Sequence, residues 1–395
     1  MTDPARGVPL LDFKRISDAD KEAYRQAFAR VLDSGYFILG PEVQAFEREC
    51  ADYIGVDHAL GVSSGTDALL LAMMALGIGP GDEVLCPTYT FFASAGTIWR
   101  LGARPVFVDS QPCCYNMCPA DLAGKITERT KAIMPVHLYG QAADMASILE
   151  IARKHDIPVI EDAAQAIGAE CSAGRSGGMG TIGCISFYPT KNLSGFGDAG
   201  LVTTNDPELQ QRMDSLRIHG FGPKYYHKHV GGNFRMDAIQ GALLRLRLPE
   251  LDQAAERRRY NARFYTEALV GSGVGVVQSS LCGGASPLDL EDKIGLPTTC
   301  STAHTYNQFV IRVPARVGRD ALRSRLADQN IGSEIYYPLC LHQQECFAEL
   351  GYAAGDFPVA EAAAASTLAL PIFPELRDDE LQTVVSALIA AVESS

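Results

Sequence analysis

The chain has 395 residues, of which 47% are hydrophobic and only 21% are charged, so it can bury one large core and a second, smaller one. Its formal net charge of −13 argues against a nucleic-acid-binding protein, because such proteins normally present a basic face to phosphates. The sequence has no apolar run of the roughly 18 residues needed for a membrane helix and no signal-peptide pattern at the start, so we expect a cytoplasmic protein with no membrane partner.

The first chemical motif is a turn between a strand predicted over residues 59–62 and a helix predicted over residues 66–76. The turn reads Ser63-Ser64-Gly65-Thr66-Asp67. A glycine and hydroxyl groups at this point supply N–H and O–H donors at a helix N-terminus, which favours phosphate binding. Because Ser and Thr also cap helices of every kind, simple capping is the alternative.

Between about residue 50 and residue 220, short β-branched runs alternate with helical patterns. This alternation is typical of an α/β layer in which helices cover both faces of a mostly parallel sheet. We predict further strands over residues 83–86, 104–109, 131–137, 158–162, 184–188 and 201–204. We predict further helices over residues 90–101, 145–155 and 207–219.

Three of the eleven cysteines, Cys113, Cys114 and Cys118, lie close together in the sequence. The scattered distribution of the others and the lack of a signal peptide favour thiols over disulfides. A zinc site would need a second cysteine pair or a histidine pair at ligand spacing, and none follows. We therefore predict no metal and interpret the cluster as a loop with small buried thiols.

Asp162 is the last residue of a predicted strand. In open α/β sheets the ligand crevice lies outside the carboxyl ends of the strands, so this carboxylate is placed where a ligand would bind. The alternatives are a helix cap and a structural ion pair.

Lys191 follows the next predicted strand. A single loop lysine is usually a solvated charge, but the glycines at 195, 197 and 200 indicate a tight backbone around this one. The same glycines match the G-x-G-x-x-G fingerprint of dinucleotide-binding proteins, which requires a helix at its end. A strand-forming run, Leu201-Val202-Thr203-Thr204, follows instead, so the sequence argues against a dinucleotide site.

The last third of the chain predicts a second domain. A helical stretch over residues 236–269 is interrupted at Pro249, which removes a backbone donor. We place the boundary there, giving a large domain over residues 1–250 and a smaller α+β domain over residues 251–395. In the latter we predict strands over 307–313 and 333–337, helices over 319–329 and 378–392, and an irregular connection over 271–302.

A phosphate-binding turn, a strand-end aspartate and a loop lysine, in this order, together fit pyridoxal phosphate. This cofactor has a phosphate, a pyridine nitrogen that Asp162 would keep protonated, and an aldehyde with which Lys191 would form an imine. Each motif is ambiguous alone, whereas the three together predict one kind of site.

The sequence resembles the DegT/DnrJ/EryC1/StrS sugar aminotransferases, which are fold type I pyridoxal-phosphate enzymes, from about Gly40 to Pro374. The matching segments are Ser64-Gly65-Thr66, Pro87-Thr88-Tyr89-Thr90-Phe91, Glu161-Asp162-Ala163-Ala164-Gln165, Ser186-Phe187 with Lys191, Gly197-Asp198-Ala199-Gly200, and Asn233-Phe234-Arg235-Met236 with Gln240.

The resemblance implies catalytic roles for Lys191 and Asp162 and cofactor-binding roles for six further residues. Gly65, Thr66 and Ser186 would hold the phosphate, Phe91 would stack on the pyridine ring, and Gln165 would pack near the ring's hydroxyl group. Asn233 would reach the phosphate of the neighbouring subunit. The resemblance thus implies a homodimer with shared active sites.

The reaction implied by the resemblance is a ping-pong transamination with glutamate as donor and a nucleotide-linked keto sugar as acceptor. Relatives with histidine in place of the lysine perform dehydration, and lysine is present here. The Gly-Asp-Ala-Gly form of the glycine loop favours a 3-keto over a 4-keto sugar. The basic, aromatic segment 219–229 is either a clamp for the nucleotide or a surface loop.

Two other functions remain open at the level of sequence. One is a pyridoxal-phosphate aminotransferase acting on a keto sugar acid or a cyclitol, and the other is a non-catalytic cofactor-binding regulator. The sequence does not assign roles to Tyr336, Tyr337 and His342.

Overall fold

The alternating strands and helices of the sequence fold into a layered α/β architecture in the computed structural model, which describes residues 7–223, 225–277 and 292–394. The helices are α1 (Asp18–Ser34), α2 (Gly40–Ile54), α3 (Gly65–Ala75), α4 (Ala93–Arg100), α5 (Pro119–Gly124), α6 (Met145–Lys154), α7 (Pro207–Leu216), α8 (Ala238–Arg247), α9 (Leu251–Gly271), α10 (Arg319–Asp328), α11 (Pro358–Ser366) and α12 (Asp378–Glu393). The strands are β1 (His58–Val62), β2 (Glu83–Pro87), β3 (Arg104–Val108), β4 (Thr130–Ile133), β5 (Ile160–Asp162), β6 (Glu170–Cys171), β7 (Gly174–Arg175), β8 (Ile182–Ser186), β9 (Gly200–Thr204), β10 (Gly275–Val277), β11 (Ile294–Leu296), β12 (Phe309–Arg312) and β13 (Thr367–Leu370).

The main sheet consists of two ladders, ordered β3-β2-β4 and β1-β9-β8-β5. They adjoin through parallel bridges that pair Ile133 with Val159 and Val136 with Asp162. Within the ladders every pair is parallel except the two that involve β9, which runs antiparallel to β1 and β8. The predicted fold class, a mostly parallel sheet flanked by helices, is confirmed.

Burial on both faces explains why the central strands are nearly continuous apolar runs. All five residues of β2, β8 and β9 are buried. Helix α3 is also apolar around most of its circumference, and it buries the stretch from Ala68 to Met73 against the sheet. Such a helix cannot shift without exposing apolar surface, so its N-terminus is held in place at the edge of the sheet.

A second core surrounds the four-stranded sheet β10-β11-β12-β13. Tyr265 of α9, Phe309 of β12 and Leu388 of α12 are among its buried side chains. Val8 belongs to the same core and pairs with Ile331, so the N-terminal segment contacts the later part of the chain. The proposed boundary between residues 250 and 251 coincides with the start of α9, and it stays a prediction.

The prediction of a strand over residues 333–337 is wrong, because the structure has no strand there. Glu334 forms only an isolated bridge to Ala369. Two residues later, the carbonyl of Tyr336 accepts hydrogen bonds from the hydroxyls of Tyr89, at 2.6 Å, and Tyr139. Side-chain donors therefore bind the backbone group that a ladder would need.

Other differences concern boundaries. The predicted connection over 271–302 contains β10 and β11 at its ends, and residues 278–291 lie outside the described part. The helix predicted from residue 90 begins at Ala93, and the strand predicted to residue 137 ends at Ile133. Among the described residues, we found no helix with the length and apolar surface required to cross a membrane.

Candidate active site

The three sequence motifs meet at one edge of the main sheet. Strands β5 and β8 are parallel, and β1 runs in the same direction because both β1 and β8 are antiparallel to β9. The residues that follow β1, the last residue of β5 and the loop after β8 therefore all lie at the carboxyl edge. This is the edge at which open α/β sheets bind their ligands.

The turn after β1 begins α3 and is capped by its own side chains. Ser64 Oγ accepts the N–H of Asp67 at 3.1 Å, and the hydroxyl of Ser63 donates to the Asp67 carboxylate at 2.6 Å. Capping is thus present, but it does not use the first N–H groups of the helix, which have no acceptor within the helix itself. Gly65 and Thr66 are the first two residues of α3, so the turn can also bind an anion.

Close approach of the backbone explains two of the glycines at this turn. A Cβ atom on Gly65 would lie 2.7 Å from the Cβ of Ser186, and one on Gly200 would lie 2.5 Å from the carbonyl carbon of Ser64. Gly65 and Ser186 are therefore neighbours in space, and the space between them admits no side chain.

Asp162 is 5% exposed and holds two hydrogen bonds. Ser94 of α4 donates to Oδ2 at 2.7 Å, and the N–H of Ala164 donates to Oδ1 at 3.2 Å. Burial raises the pKa of this carboxyl group, whereas the bonds from Ser94 and Ala164 and the charge of Lys191 act in the opposite direction. A buried carboxylate needs a cationic or hydrogen-bonding partner, which the protonated ring nitrogen of the cofactor would supply.

Lys191 is partly exposed as a residue, but its amino group is enclosed. Burial lowers its pKa to about 8 from the usual 10.5, and the charge of Asp162 opposes this shift. The surrounding loop is braced by backbone hydrogen bonds from Lys191 N–H to the Tyr188 carbonyl and from Gly195 N–H to the Phe187 carbonyl, at 2.8 and 2.7 Å. The loop is thus held in place, and burial makes the neutral form of the amine more accessible than in an exposed lysine.

Gln165 and aromatic residues form another wall of the site. The side-chain carbonyl of Gln165 accepts the N–H of Tyr139 at 2.6 Å, and its amide donates to the hydroxyl of Tyr337 at 3.1 Å. Phe91 is 56% exposed, and its ring centroid lies 6.1 Å from that of Tyr337. An exposed ring beside a cleft is available to stack on a planar ligand.

Asn233 is exposed, and among the described residues it forms no hydrogen bond with Asp162 or Lys191. Its side-chain oxygen accepts a hydrogen bond from Arg235 at 2.8 Å. The backbone carbonyl of the next residue, Phe234, accepts the N–H of Ser63 at 3.0 Å, so Asn233 lies close to the turn before α3 of its own chain. Its predicted reach into a neighbouring subunit stays a prediction.

Polar atoms without hydrogen-bond partners among the described residues indicate room for a polar ligand. Both side-chain atoms of Asn307 and the side-chain oxygen of Gln308 are of this kind. They line a cavity of about 70 Å³ together with Thr190 and Tyr336. The residues present thus fit pyridoxal phosphate and leave polar groups near Lys191 for a second molecule.

Sequence reasoning missed two supporting contacts. Ser94 lies on the helix that follows Phe91, and its bond to Asp162 has no signal in the sequence. The buried pair His137 and Glu161, joined at 2.8 Å, lies directly behind Asp162. Glu161 also accepts the N–H groups of Gly177 and Met179, which fixes the end of β5. The sequence did offer a signal for Glu161. It directly precedes Asp162 in the strand, and because successive strand residues face opposite sides, Glu161 must face away from the ligand crevice.

The segment 219–229 forms a hydrogen-bonded turn in its described residues. Phe221 pairs with His227, and Tyr225 and Tyr226 are among the most exposed aromatic residues. Lys224 lies outside the described part. Both interpretations of this segment stay open.

Comparison with known proteins gives consistent results over nearly the whole chain. The model of the DegT/DnrJ/EryC1/StrS aminotransferase family matches residues 18–389. The chain is 43% identical to a pleiotropic regulatory protein of Geobacillus stearothermophilus, with 96% of this chain and 97% of that protein covered. It is 42% identical, with the same coverage, to a UDP-N-acetyl-3-dehydro-alpha-D-glucosamine 3-aminotransferase of Acidithiobacillus ferrooxidans. Its fold matches the crystal structure of S. venezuelae DesV in complex with a ketimine intermediate, with a TM-score of 0.90, 40% identity and coverage of 98% and 99%.

Proposed function

The chain belongs to the DegT/DnrJ/EryC1/StrS aminotransferase family, and from this premise we propose that it transfers an amino group from glutamate to the ketone of a nucleotide-linked 3-keto sugar. Its cofactor is pyridoxal phosphate. The observation that carries the proposal is the enclosed amine of Lys191, whose pKa is lowered to about 8 next to the buried carboxylate of Asp162.

When bound, pyridoxal phosphate supplies an aldehyde that receives the amino group and a ring that stabilises negative charge on the adjacent carbon. The first N–H groups of α3, with the hydroxyls of Thr66 and Ser186, would hold the phosphate. Asp162 would bind the protonated ring nitrogen, and the hydrogen bond from Ser94 orients Asp162. Phe91 and Gln165 would contact the ring.

Lys191 has two tasks in the proposed mechanism. Its neutral amine would hold the cofactor covalently at the aldehyde carbon. When that amine is free, it would take up a proton and release it again beside the reacting carbon atoms, as a general base and then a general acid. A pKa of about 8 leaves about one-tenth of the groups neutral at pH 7, far more than in an exposed lysine.

The relative in Acidithiobacillus ferrooxidans supports the proposed substrate class, because its name specifies a 3-dehydro sugar and amination at carbon 3. Polar groups near the reactive lysine are consistent with a hydroxyl-rich acceptor. Asn307 and Gln308 present donors and acceptors with no partner among the described residues, and buried groups of this kind usually bind water or ligand.

We also propose a homodimer with shared active sites. The end of α1 and the segment after it expose several large apolar side chains: Phe28, Leu32, Tyr36, Phe37 and Ile38. A groove of about 390 Å³ lined by Phe28, Phe196 and Leu243 adjoins them. Clustered exposed apolar side chains are typical of interaction surfaces, and a second copy of the chain would cover these.

The name of the relative from Geobacillus stearothermophilus favours a second candidate, a regulator that binds the cofactor without turnover. Lysine at position 191 and its lowered pKa support catalysis instead.

The test is the half-reaction with glutamate. We expect the purified holoenzyme to convert its cofactor to the amine form and release 2-oxoglutarate in equal amount, as monitored by absorbance and mass spectrometry. Addition of UDP- or dTDP-linked 3-keto sugars should then regenerate the aldehyde form and yield an amino sugar. Failure to convert with any amino donor would support the regulator.

A further inference from the structure

Three cysteine thiols that are distant in sequence meet outside the site described above. Cys113 and Cys114 lie in the tight turn between β3 and α5, and Cys300 lies between β11 and β12. The three sulfur atoms lie within 4.8 Å of one another. Cys300 Sγ is 4.0 Å from Cys113 Sγ, although the residues are 187 positions apart. Cys118, the third member of the cluster seen in the sequence, is the N-cap residue of α5 instead.

We propose that Cys113, Cys114 and Cys300 bind one Zn²⁺ ion. Zinc binds thiolates at about 2.3 Å with tetrahedral geometry, which places the sulfur atoms about 3.8 Å apart. The observed separations exceed this value by about 1 Å at most, and rotation of the side chains closes that difference. A disulfide, by contrast, would need two of the sulfurs about 2 Å apart and would leave the third unused.

The exposure of the three residues suits a site that fills from solvent. Cys113 and Cys114 are 6% and 9% exposed, whereas Cys300 is on the surface. Water can therefore reach the fourth position of the ion. Binding exchanges three thiol protons, which pass to solvent, for one dication, so the affinity for zinc decreases as the pH decreases.

The backbone around the thiols is already fixed, which reduces the entropic cost of binding. The N–H of Tyr115 donates to the carbonyl of Gln111 at 2.9 Å and closes the turn, and Ser110 pairs with Met117. On the other side, the N–H of Cys300 donates to the side chain of Gln141 at 2.7 Å.

The same contacts join the cysteine site to the wall of the active site. Asn116 donates to the carbonyl of Gln141 at 3.1 Å and accepts the N–H of Leu138 at 2.9 Å. The next residue, Tyr139, donates its N–H to Gln165. Zinc would fasten the segment that leads to β12 onto the loop that supports Gln165, and its main measurable effect is on stability.

A zinc ion at these thiols would differ from the sequence-based prediction of no metal. That prediction considered ligands near residues 113–118, and the structure adds Cys300 from a distant segment.

The test measures metal binding by the reduced holoenzyme without reference to activity. Zn²⁺ is titrated in competition with a chromophoric chelator, and Co²⁺ is used as a probe because its visible d–d bands report tetrahedral thiolate ligation. We expect one metal ion per chain and a higher midpoint of thermal unfolding with zinc. Cys300→Ser, at an exposed position, should weaken binding by at least about 100-fold, since even changes in groups that only support ligands cost 10- to 100-fold.

Two matched controls are Cys118→Ser, close in sequence to the site, and Cys346→Ser, which is exposed elsewhere. Both should bind zinc like the unmodified protein. The proposal is overturned if the unmodified protein does not compete with the chelator, if Cys300→Ser binds equally well while retaining the cofactor spectrum, or if peptide mapping finds Cys300 in a disulfide with Cys113 in a protein that binds no zinc.

Discussion

At the scale of single residues, burial of the Lys191 amine sets the pH range in which the cofactor can be loaded. Only the neutral amine combines with the aldehyde, so the rate of cofactor loading should increase with pH up to about 8 and then level off. With an exposed lysine the rate would continue to increase up to about pH 10.5. Absorbance changes after the cofactor is mixed with apoprotein would measure this. Since the Asp162 carboxylate raises the pKa of Lys191, Asp162→Asn should move the midpoint to lower pH. A midpoint near that of an exposed lysine would contradict this account.

Replacement of Lys191 tests the catalytic assignment. We expect Lys191→Ala to lower the rate of the glutamate half-reaction by about 10²- to 10⁴-fold, the usual contribution of a positioned acid–base group. Borohydride reduction followed by peptide mapping should label residue 191 in the unmodified protein. Lys154→Ala, an exposed lysine on α6, is the control and should retain both the rate and the label.

The hydroxyl of Ser94 should influence Asp162 measurably. Its hydrogen bond lowers the pKa of the carboxyl group, so in Ser94→Ala that pKa should increase further above its ordinary value. The acid limb of the pH–rate profile should then move to higher pH, and the rate should decrease by about tenfold, since a bond to a charged group contributes about 1.5–3 kcal/mol. Thr97→Val is a matched control, because this buried hydroxyl on the same helix donates to the backbone carbonyls of Ala93 and Ser94. Equal profiles for both variants would refute the role of Ser94.

The central residues of the site could be predicted because their positions follow from the elements around them. Asp162 ends one apolar strand and Lys191 follows another, and parallel strands bring their ends to one edge. Ser94 and Cys300 could not be predicted in this way. Their partners are set by the packing of α4 and of the segment before β12, which depends on tertiary contacts and leaves no periodic pattern in the sequence.

At the scale of elements, the N-terminus of α3 depends on the absence of a side chain at Gly65. Gly65→Ala would place a Cβ atom 2.7 Å from the Cβ of Ser186, so either α3 or β8 must shift. We expect the affinity for pyridoxal phosphate to decrease by at least about tenfold, because the donors that hold the phosphate are displaced. Equilibrium dialysis would measure it.

Gly79→Ala is the control for this prediction. A Cβ atom at Gly79 meets no other atom within 4 Å, so cofactor affinity should not change. If both variants bound the cofactor equally, α3 would not form the phosphate site.

Helices and strands were predicted most reliably where the residue pattern is compatible with only one kind of structure. Strands β2, β8 and β9 are apolar runs buried on both faces, and they were found within one or two residues of their predicted bounds. The strand over residues 333–337 failed because its alternating pattern also suits an extended segment. The hydroxyls of Tyr89 and Tyr139, distant in sequence, bind the backbone of Tyr336.

At the scale of the whole molecule, the exposed apolar residues after α1 predict a dependence of cofactor binding on assembly. Phe37 is 55% exposed, and Phe37→Asp would place a charge in the proposed dimer interface. Sedimentation should show a dimer for the unmodified protein and a shift towards monomer for the variant. The affinity for the cofactor should decrease as the dimer dissociates, because the proposed active sites are shared.

Val270→Asp changes an apolar residue of similar exposure on α9 and serves as the control. It should sediment like the unmodified protein. A monomeric unmodified protein that still binds the cofactor tightly would contradict shared active sites.

The antiparallel direction of β9 has a consequence for how the enzyme tolerates change. Because Ser186 pairs with Gly200, the loop that carries Lys191 leaves and re-enters the sheet at adjacent points. In a crossover connection, a shift of the helix could accommodate an inserted peptide. The connection between β8 and β9 contains no such helix, so an insertion there would move Lys191 out of the crevice. During divergence within such a fold, length variation should therefore accumulate in the helical connections and spare this hairpin.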